Sequence, residues 1–249
     1  MSAGTVGQRR AVITGGSSGI GLATAIMMLD QGYVVASLDV NPPMNTAVPY
    51  FFADVSDDRS VVKAVAQASD LLGGIDVVVN SAGISSVGSV DANSDEEWMR
   101  ALNVNVIGIA RVCRATLPFL RQSETAVIVN LASIASHMGL ANRVLYGATK
   151  GAVMAMTLDM ATDFLQDGIR VNAVAPGTAD TPWVARLLAQ VDDPAEAKRS
   201  LAARQPIGRL VTAEEVAFSI CFLADPRASS TTGTILDVDG GMHRLSPPR

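Results

Sequence analysis

Short apolar runs alternate with helical periodicities along almost the whole chain. Residues 11–14, 33–38, 50–53, 75–79, 126–131, 168–175 and 234–238 are runs of a length and composition that suit strands buried on both faces. The spacing between them predicts helices over 22–31, over 59–72 with Val61, Val62, Val65, Ala68 and Leu72 on the core face, and over 143–166. Two capping boxes, Ser94-Asp-Glu-Glu97 and Thr212-Ala-Glu-Glu215, open further helices, the second running to Ala224. Residues 181–203 are helical but broken at Asp192-Asp-Pro194, a segment expected to act as a flap over 179–204. Asn103, Asn105 and Gly108 are awkward inside a helix and predict a bulge there. Pro42 and Pro43, with Pro49 just beyond, make 41–48 a loop. Strands alternating with helices to the end of the chain predict an α/β fold in a single domain over residues 1–249. This is a doubly wound parallel sheet with helices on both faces and ligands at the strands' carboxyl ends.

Composition narrows the function classes. Of 249 residues, 49 % are apolar and 17 % charged, enough for a large core and against extensive disorder. Apolar runs stay short of the ~18 residues a bilayer span needs, and residues 1–10 carry no apolar signal region, so the expected location is cytoplasmic. Cys113 and Cys221 sit in apolar helical patterns and are expected as buried thiols. Two histidines without a sequence cluster predict no metal site. A net charge of −5 with no basic block argues against nucleic acid as a partner.

Candidate chemistry lies at the strand ends. Gly15-Gly-Ser-Ser-Gly-Ile-Gly21 joins the first strand to a helix, the context in which glycines admit a pyrophosphate to a helix N-terminus and define a Rossmann-type fold. Asp39 ends the second strand, ~20 residues further on, and suits the ribose hydroxyls of NAD while repelling the 2′-phosphate of NADP. Small residues in Asn80-Ser-Ala-Gly83 let the backbone approach a flat ligand. Tyr146 and Lys150 are one helical turn apart, and Ser133 follows an apolar strand, so the three can meet in one crevice.

With these residues in place the chain resembles the short-chain dehydrogenase/reductase family from about Arg10 to Gly241. Thr14-Gly-x-x-x-Gly-Ile-Gly21 is similar to the family's glycine motif, and Asn80-Ser-Ala-Gly83 to its Asn-Asn-Ala-Gly motif with one substitution. Asn105, Ser133, Tyr146 and Lys150 match its catalytic tetrad, and Pro176-Gly177-Thr178 its Pro-Gly turn and nicotinamide contact. The link between Asp39 and Tyr50 is shorter than the family's usual helix. The resemblance implies cofactor contacts from Gly15, Ser17, Ser18, Gly19, Ile20, Gly21, Asp39, Asp54, Val55, Asn80, Ala82, Gly83, Tyr146, Lys150, Pro176, Gly177 and Thr178. It implies that Tyr146 removes the hydroxyl proton with its pKa lowered by Lys150 and the positive nicotinamide ring of the oxidised cofactor, that Ser133 positions the substrate oxygen, that Asn105 holds a relay water, and that the protein forms a homotetramer.

Asn142-Arg143-Val-Leu-Tyr146, Pro176-Gly-Thr-x-Asp-Thr-Pro182 and Arg204-Gln-x-x-Gly-Arg209 also resemble the branch with cytosolic 3-hydroxybutyrate and 2-keto-3-deoxy-sugar-acid dehydrogenases. Arg143 precedes Tyr146 by three residues on the same helical side; Arg186 and Arg204 lie in or beside the flap. An arginine fork grips a carboxylate at two points. The expected substrate is therefore a small hydroxy acid, held by Ser133, His137, Arg143, Tyr146 and Arg204, with Trp183 as a further candidate lining residue. The alternatives are a dehydrogenase of neutral sugars, alcohols or steroids, a 3-oxoacyl reductase, or a dinucleotide-binding regulator without turnover.

Overall fold

Strands β1 (Arg10–Thr14), β2 (Val34–Asp39), β3 (Tyr50–Phe52), β4 (Val77–Asn80), β5 (Val127–Leu131) and β6 (Arg170–Pro176), two-residue β7 (Ala179–Asp180) and β8 (Val211–Thr212), and β9 (Ile235–Val238) occur in that order. In this computed structural model, which describes residues 8–43, 47–189 and 192–246 and omits the side chain of Arg186, seven strands form one parallel sheet, β3-β2-β1-β4-β5-β6-β9. β7 and β8 pair apart from it. The helices are α1 (Gly19–Asp30), α2 (Asp58–Leu72), α3 (Asp95–Leu102), α4 (Gly108–Leu120), α5 (Val144–Asp163), α6 (Pro182–Leu188), α7 (Pro194–Ala203) and α8 (Ala213–Ala224).

The period of two along each strand divides the core. Val12, Val78, Ile128 and Val171 stand in register across β1, β4, β5 and β6, and they pack on α2, α4 and α5. Their neighbours Ile13, Val79 and Val129 point to the other face, against Ala25 and Met28 of α1 and Val216 and Ile220 of α8. Each helix stripe thus covers one side of strands buried on both. α2 presents Val61, Val65 and Ala68 to that core, but Val62 is 52 % exposed, a position one residue off the 3.6 stripe.

Both predicted capping boxes form. Glu97 N–H donates to Ser94 Oγ while the Glu97 carboxylate accepts from Ser94 N–H at 2.9 Å; Thr212 and Glu215 make the same reciprocal pair. Residues 103–107 are a π-helical turn, in which Gly108 N–H reaches back to the Asn103 carbonyl. The 181–203 segment is two helices, α6 and α7, each with Pro at its start, where a missing N–H costs nothing. Residues 44–46 of the expected loop lie outside the described residues. Strand order reverses between β1 and β4, and a parallel sheet opens a crevice at the carboxyl ends of its strands there.

Candidate active site

Into this crevice run the turns after β1, β2, β4, β5 and β6. They enclose a cavity of about 990 Å³ that extends from Asp39, Asp54 and Val55 at one end to Arg143, Trp183 and Arg204 at the other. Gly15, at φ 67°, forms part of its floor. A Cβ there would stand 2.9 Å from the Ala82 backbone, so only glycine lets the β1 and β4 turns meet. The Thr14 hydroxyl fixes the same junction by accepting from Ser81 N–H and Ala82 N–H, both at 3.1 Å. α1 begins here, and its N-cap, Ser18, makes no side-chain capping bond, so the helix N-terminus faces the cavity uncapped. Asp39 is oriented by Ser17 N–H at 3.2 Å and Asn41 N–H at 3.0 Å, one to each carboxylate oxygen, which leaves further lone pairs for hydroxyl donors. An uncapped helix N-terminus behind a glycine turn, an oriented carboxylate and a groove of this size fit a dinucleotide.

Ser133, Tyr146 and Lys150 converge on the middle of the cavity. Ser133 caps a 3₁₀ turn, Ile134–Ser136, its Oγ accepting from Ala135 N–H at 3.2 Å. Lys150 Nζ donates to the Leu131 carbonyl at 2.6 Å, which holds the α5 side chain against the end of β5, and it lies 5.9 Å from the Tyr146 ring centre. Burial pushes the Lys150 ammonium down to about 8. Burial also raises Tyr146 above its ordinary value, more than the nearby Ser133 hydroxyl and the Arg143 charge lower it. The lowering expected of Tyr146 draws on the positive nicotinamide ring as well as Lys150, and without that ring burial outweighs the protein's own groups. Arg143 is half-buried, 6.0 Å from the Tyr146 ring centre; burial lowers its pKa, as does the like charge of Arg204. It donates to Ser85 Oγ at 2.9 Å and to the Ser86 carbonyl at 3.0 Å.

A family model described as Enoyl-(Acyl carrier protein) reductase matches residues 15–243. The chain is 38 % identical to cis-4-hydroxycyclohexanecarboxylate dehydrogenase of Sinomonas cyclohexanicum, over 94 % of this chain and 96 % of that one. It is 34 % identical to dehydrogenase/reductase SDR family member 6 of Rattus norvegicus, over 92 % and 95 %. The chain belongs to the short-chain dehydrogenase/reductase family. Among solved structures, the ligand-free aldohexose dehydrogenase of Thermoplasma acidophilum superposes with a TM-score of 0.91 at 32 % identity, over 97 % of this chain and 98 % of that one. This short-chain dehydrogenase/reductase is an oxidoreductase of CH–OH groups, and no helix among its described residues is long and apolar enough to cross a membrane.

Most residues singled out in the sequence line the cavity: Gly15, Ser18, Gly19, Ile20, Asp39, Asp54, Val55, Ala82, Gly83, Pro176, Gly177, Thr178, Ser133, Tyr146, Lys150, Arg143, Trp183 and Arg204. Five stand elsewhere. Ser17 is buried against Ser37, with its hydroxyl 3.3 Å away, and Gly21 is the helix residue that lets α1 pass the Gly15 carbonyl; both shape the turn from behind. Asn80 lies inside the sheet and donates to Asn130 Oδ1 at 2.8 Å, so it ties β4 to β5. Asn105 is buried behind the wall. Its amide donates to the Ile84 carbonyl and Thr149 Oγ1, and its oxygen accepts from Ile84 N–H, so the π-helical turn clamps the segment after β4 onto α5. His137, expected in the substrate pocket, is not among the residues that line the cavity; its Nε2 lies 3.0 Å from Asp237 Oδ1 of β9. The Arg186 side chain lies outside the described residues.

Sequence reading passed over Met99, Arg100, Leu140, Leu187 and Leu201, which also line the cavity. The leucines are ordinary core residues by type, and only the fold shows that they face a groove.

Proposed function

We propose that this enzyme uses NAD to interconvert a secondary alcohol and a ketone on a small hydroxy acid, such as a 2-keto-3-deoxy sugar acid or a 3-hydroxybutyrate-like compound. The observation that carries this reading is the pair of arginines, Arg143 and Arg204, on the cavity wall beside Tyr146. Neither has a carboxylate partner among the described residues, and they repel one another. Two unpaired guanidinium groups beside a reaction centre are what an anionic substrate neutralises. The Sinomonas relative, named for a substrate with a hydroxyl and a carboxylate, supports the same class.

In this reading the glycine turn and α1 hold the pyrophosphate, Asp39 takes the ribose hydroxyls and disfavours a 2′-phosphate, and Asp54 and Val55 border the adenine. Pro176 to Thr178 border the nicotinamide, and Lys150 binds its ribose. The oxidised nicotinamide supplies the hydride acceptor and a positive charge. Ser133 holds the substrate oxygen. Tyr146 Oη takes the hydroxyl proton during oxidation and returns it during reduction, and an added positive charge next to it offsets its burial. Asn105 Oδ1 has one lone pair left beside Gly83 and Lys150 to anchor a relay water. α6 and α7, with Trp183, Leu187, Leu201 and Arg204 on the cavity, form the flap over 179–204. The exposed apolar residues Ile107, Val144 and Leu158 on one side and Phe218 and Phe222 of α8 on another support two subunit contacts and hence a homotetramer. The free, buried Cys113 and Cys221 suit a reducing cytoplasm.

The test is a set of initial rates with small hydroxy acids and with neutral alcohols and sugars matched in size, each with NAD and with NADP. Turnover confined to acids and faster with NAD supports the reading. Turnover confined to neutral sugars, to which the aldohexose dehydrogenase fold neighbour points, sinks the carboxylate assignment, and a preference for NADP sinks the role of Asp39.

A further inference from the structure

On the far side of the Ser133 turn, three side chains from two distant parts of the chain meet. His137 follows the 3₁₀ turn after β5, Asp237 belongs to β9, and His243 lies in the turn after it. His137 Nε2 is 3.0 Å from Asp237 Oδ1, and His243 Nδ1 is 3.3 Å from Asp237 Oδ2. The three candidate donor atoms all lie within 4.8 Å of one another, and the side chains are only 13 %, 15 % and 27 % exposed for His137, Asp237 and His243. His137 Nε2 and Asp237 Oδ1 are buried and face one another, yet the pair lacks hydrogen-bond geometry and neither atom has another partner. Two buried, orphaned polar atoms of this kind carry a free-energy cost that a shared cation removes.

We propose that His137, Asp237 and His243 form a site for one divalent transition-metal ion of borderline softness, such as zinc or cobalt(II), separate from the reaction centre. Two imidazoles and a carboxylate are the donor set for such ions, and a water completes four-coordination. Zinc binds nitrogen and oxygen at ~2.0–2.2 Å, and a 3.0 Å nitrogen–oxygen pair needs little adjustment to bracket it. The two imidazole rings stack with centres 4.6 Å apart and planes 22° from parallel. One ring therefore turns about χ2, a soft torsion for histidine, to bring both lone pairs onto the ion. Arg244 Nε, 3.3 Å from Asp237 Oδ2, competes for the carboxylate, but its side chain is 73 % exposed and free to swing out. The backbone is braced: Asp239 accepts from Gly241 N–H at 2.9 Å and His243 N–H at 2.7 Å, so the turn that presents His243 is fixed. The ion staples this turn to β9 and to the segment that carries Ser133. Magnesium, which demands oxygen ligands, is excluded by the donor set.

The experiment uses full-length protein without an affinity tag, stripped with chelator and titrated with cobalt(II) chloride while the visible spectrum is followed. The expected result is one equivalent of cobalt per chain, with intense d–d bands of a four-coordinate site. Zinc should displace it and magnesium should not, and melting temperature should rise by several degrees with zinc. His243→Ala should lose the bands, whereas Arg244→Ala should tighten binding several-fold. A wild-type titration without saturable bands overturns the proposal, whatever the variants do. So do bands that persist unchanged in the His137→Ala/His243→Ala double variant.

Discussion

At the scale of single residues, the site sets two ionisable groups against their ordinary behaviour. Lys150 carries its charge into a buried place, with a pKa pushed from 10.5 down to about 8. Between those values the unfolded chain holds a proton that the folded chain has released, so stability rises with pH across that window, and below it the buried charge costs on the order of 3 kcal/mol. Lys150→Met should therefore melt above the wild type at pH 7, with the difference shrinking toward pH 10; a variant that melts lower at pH 7 would show that the bond to the Leu131 carbonyl outweighs the burial. Tyr146 is raised by burial and lowered by the Arg143 charge. Removal of that charge in Arg143→Ala should move the rising limb of the oxidation rate, measured as kcat at saturating substrate, to higher pH. An unmoved limb would put Arg143 outside electrostatic reach of the phenol. Arg204→Ala should raise KM for an acid about 10-fold or more while leaving kcat within a few-fold, as expected for loss of a contact made equally in ground and transition states.

At the scale of elements, the turns are specified by contacts that tolerate no side chain. A Cβ on Gly21 would collide with the Gly15 carbonyl, which belongs to the same turn and cannot retreat without opening the cavity floor. Gly21→Ala should cost roughly 1–3 kcal/mol and weaken cofactor binding more than Gly32→Ala does, since a Cβ on Gly32 meets nothing within 4 Å and the strain of its φ of +85° falls at the far end of α1. Equal cofactor affinity in the two variants would show that the floor is compliant. The same scale explains what the sequence could and could not show. Strands and helices were legible because each is announced by its own few residues: a run such as Val127–Leu131, or a capping box such as Ser94 to Glu97. The π-helical turn was legible as a bulge because Asn103, Asn105 and Gly108 are poor helix formers at close spacing. Asn80 and Asn105 were harder. Both stand in segments that border the cavity, but the direction of each amide depends on a partner far along the chain, Asn130 for one and Thr149 for the other.

At the scale of the whole molecule, the long-range pairings decide what motifs alone leave open. His137 stands a hundred residues or more from Asp237 and His243, with no common spacing, so their cluster becomes visible only when β9 is laid beside β6. Arg143 likewise acquires Ser85 and Ser86 as neighbours only through the fold. The exposed aromatic residues of α8, Phe218 at 66 % and Phe222 at 51 %, lie on a surface that a monomer would leave wet. Light scattering on the eluted protein should give four times the 25.9 kDa chain mass, and Phe218→Glu/Phe222→Glu should lower it; a monomeric wild type would remove the proposed assembly. The proposed chemistry places the proton transfer on one phenol, Tyr146, in a site otherwise built to bind. It is tested most directly by comparing wild type and Tyr146→Phe for NADH formation from a small hydroxy acid, with NAD binding measured in parallel. Turnover should fall by at least about 10²-fold with NAD affinity unchanged. Turnover near the wild-type rate with intact NAD binding would contradict it.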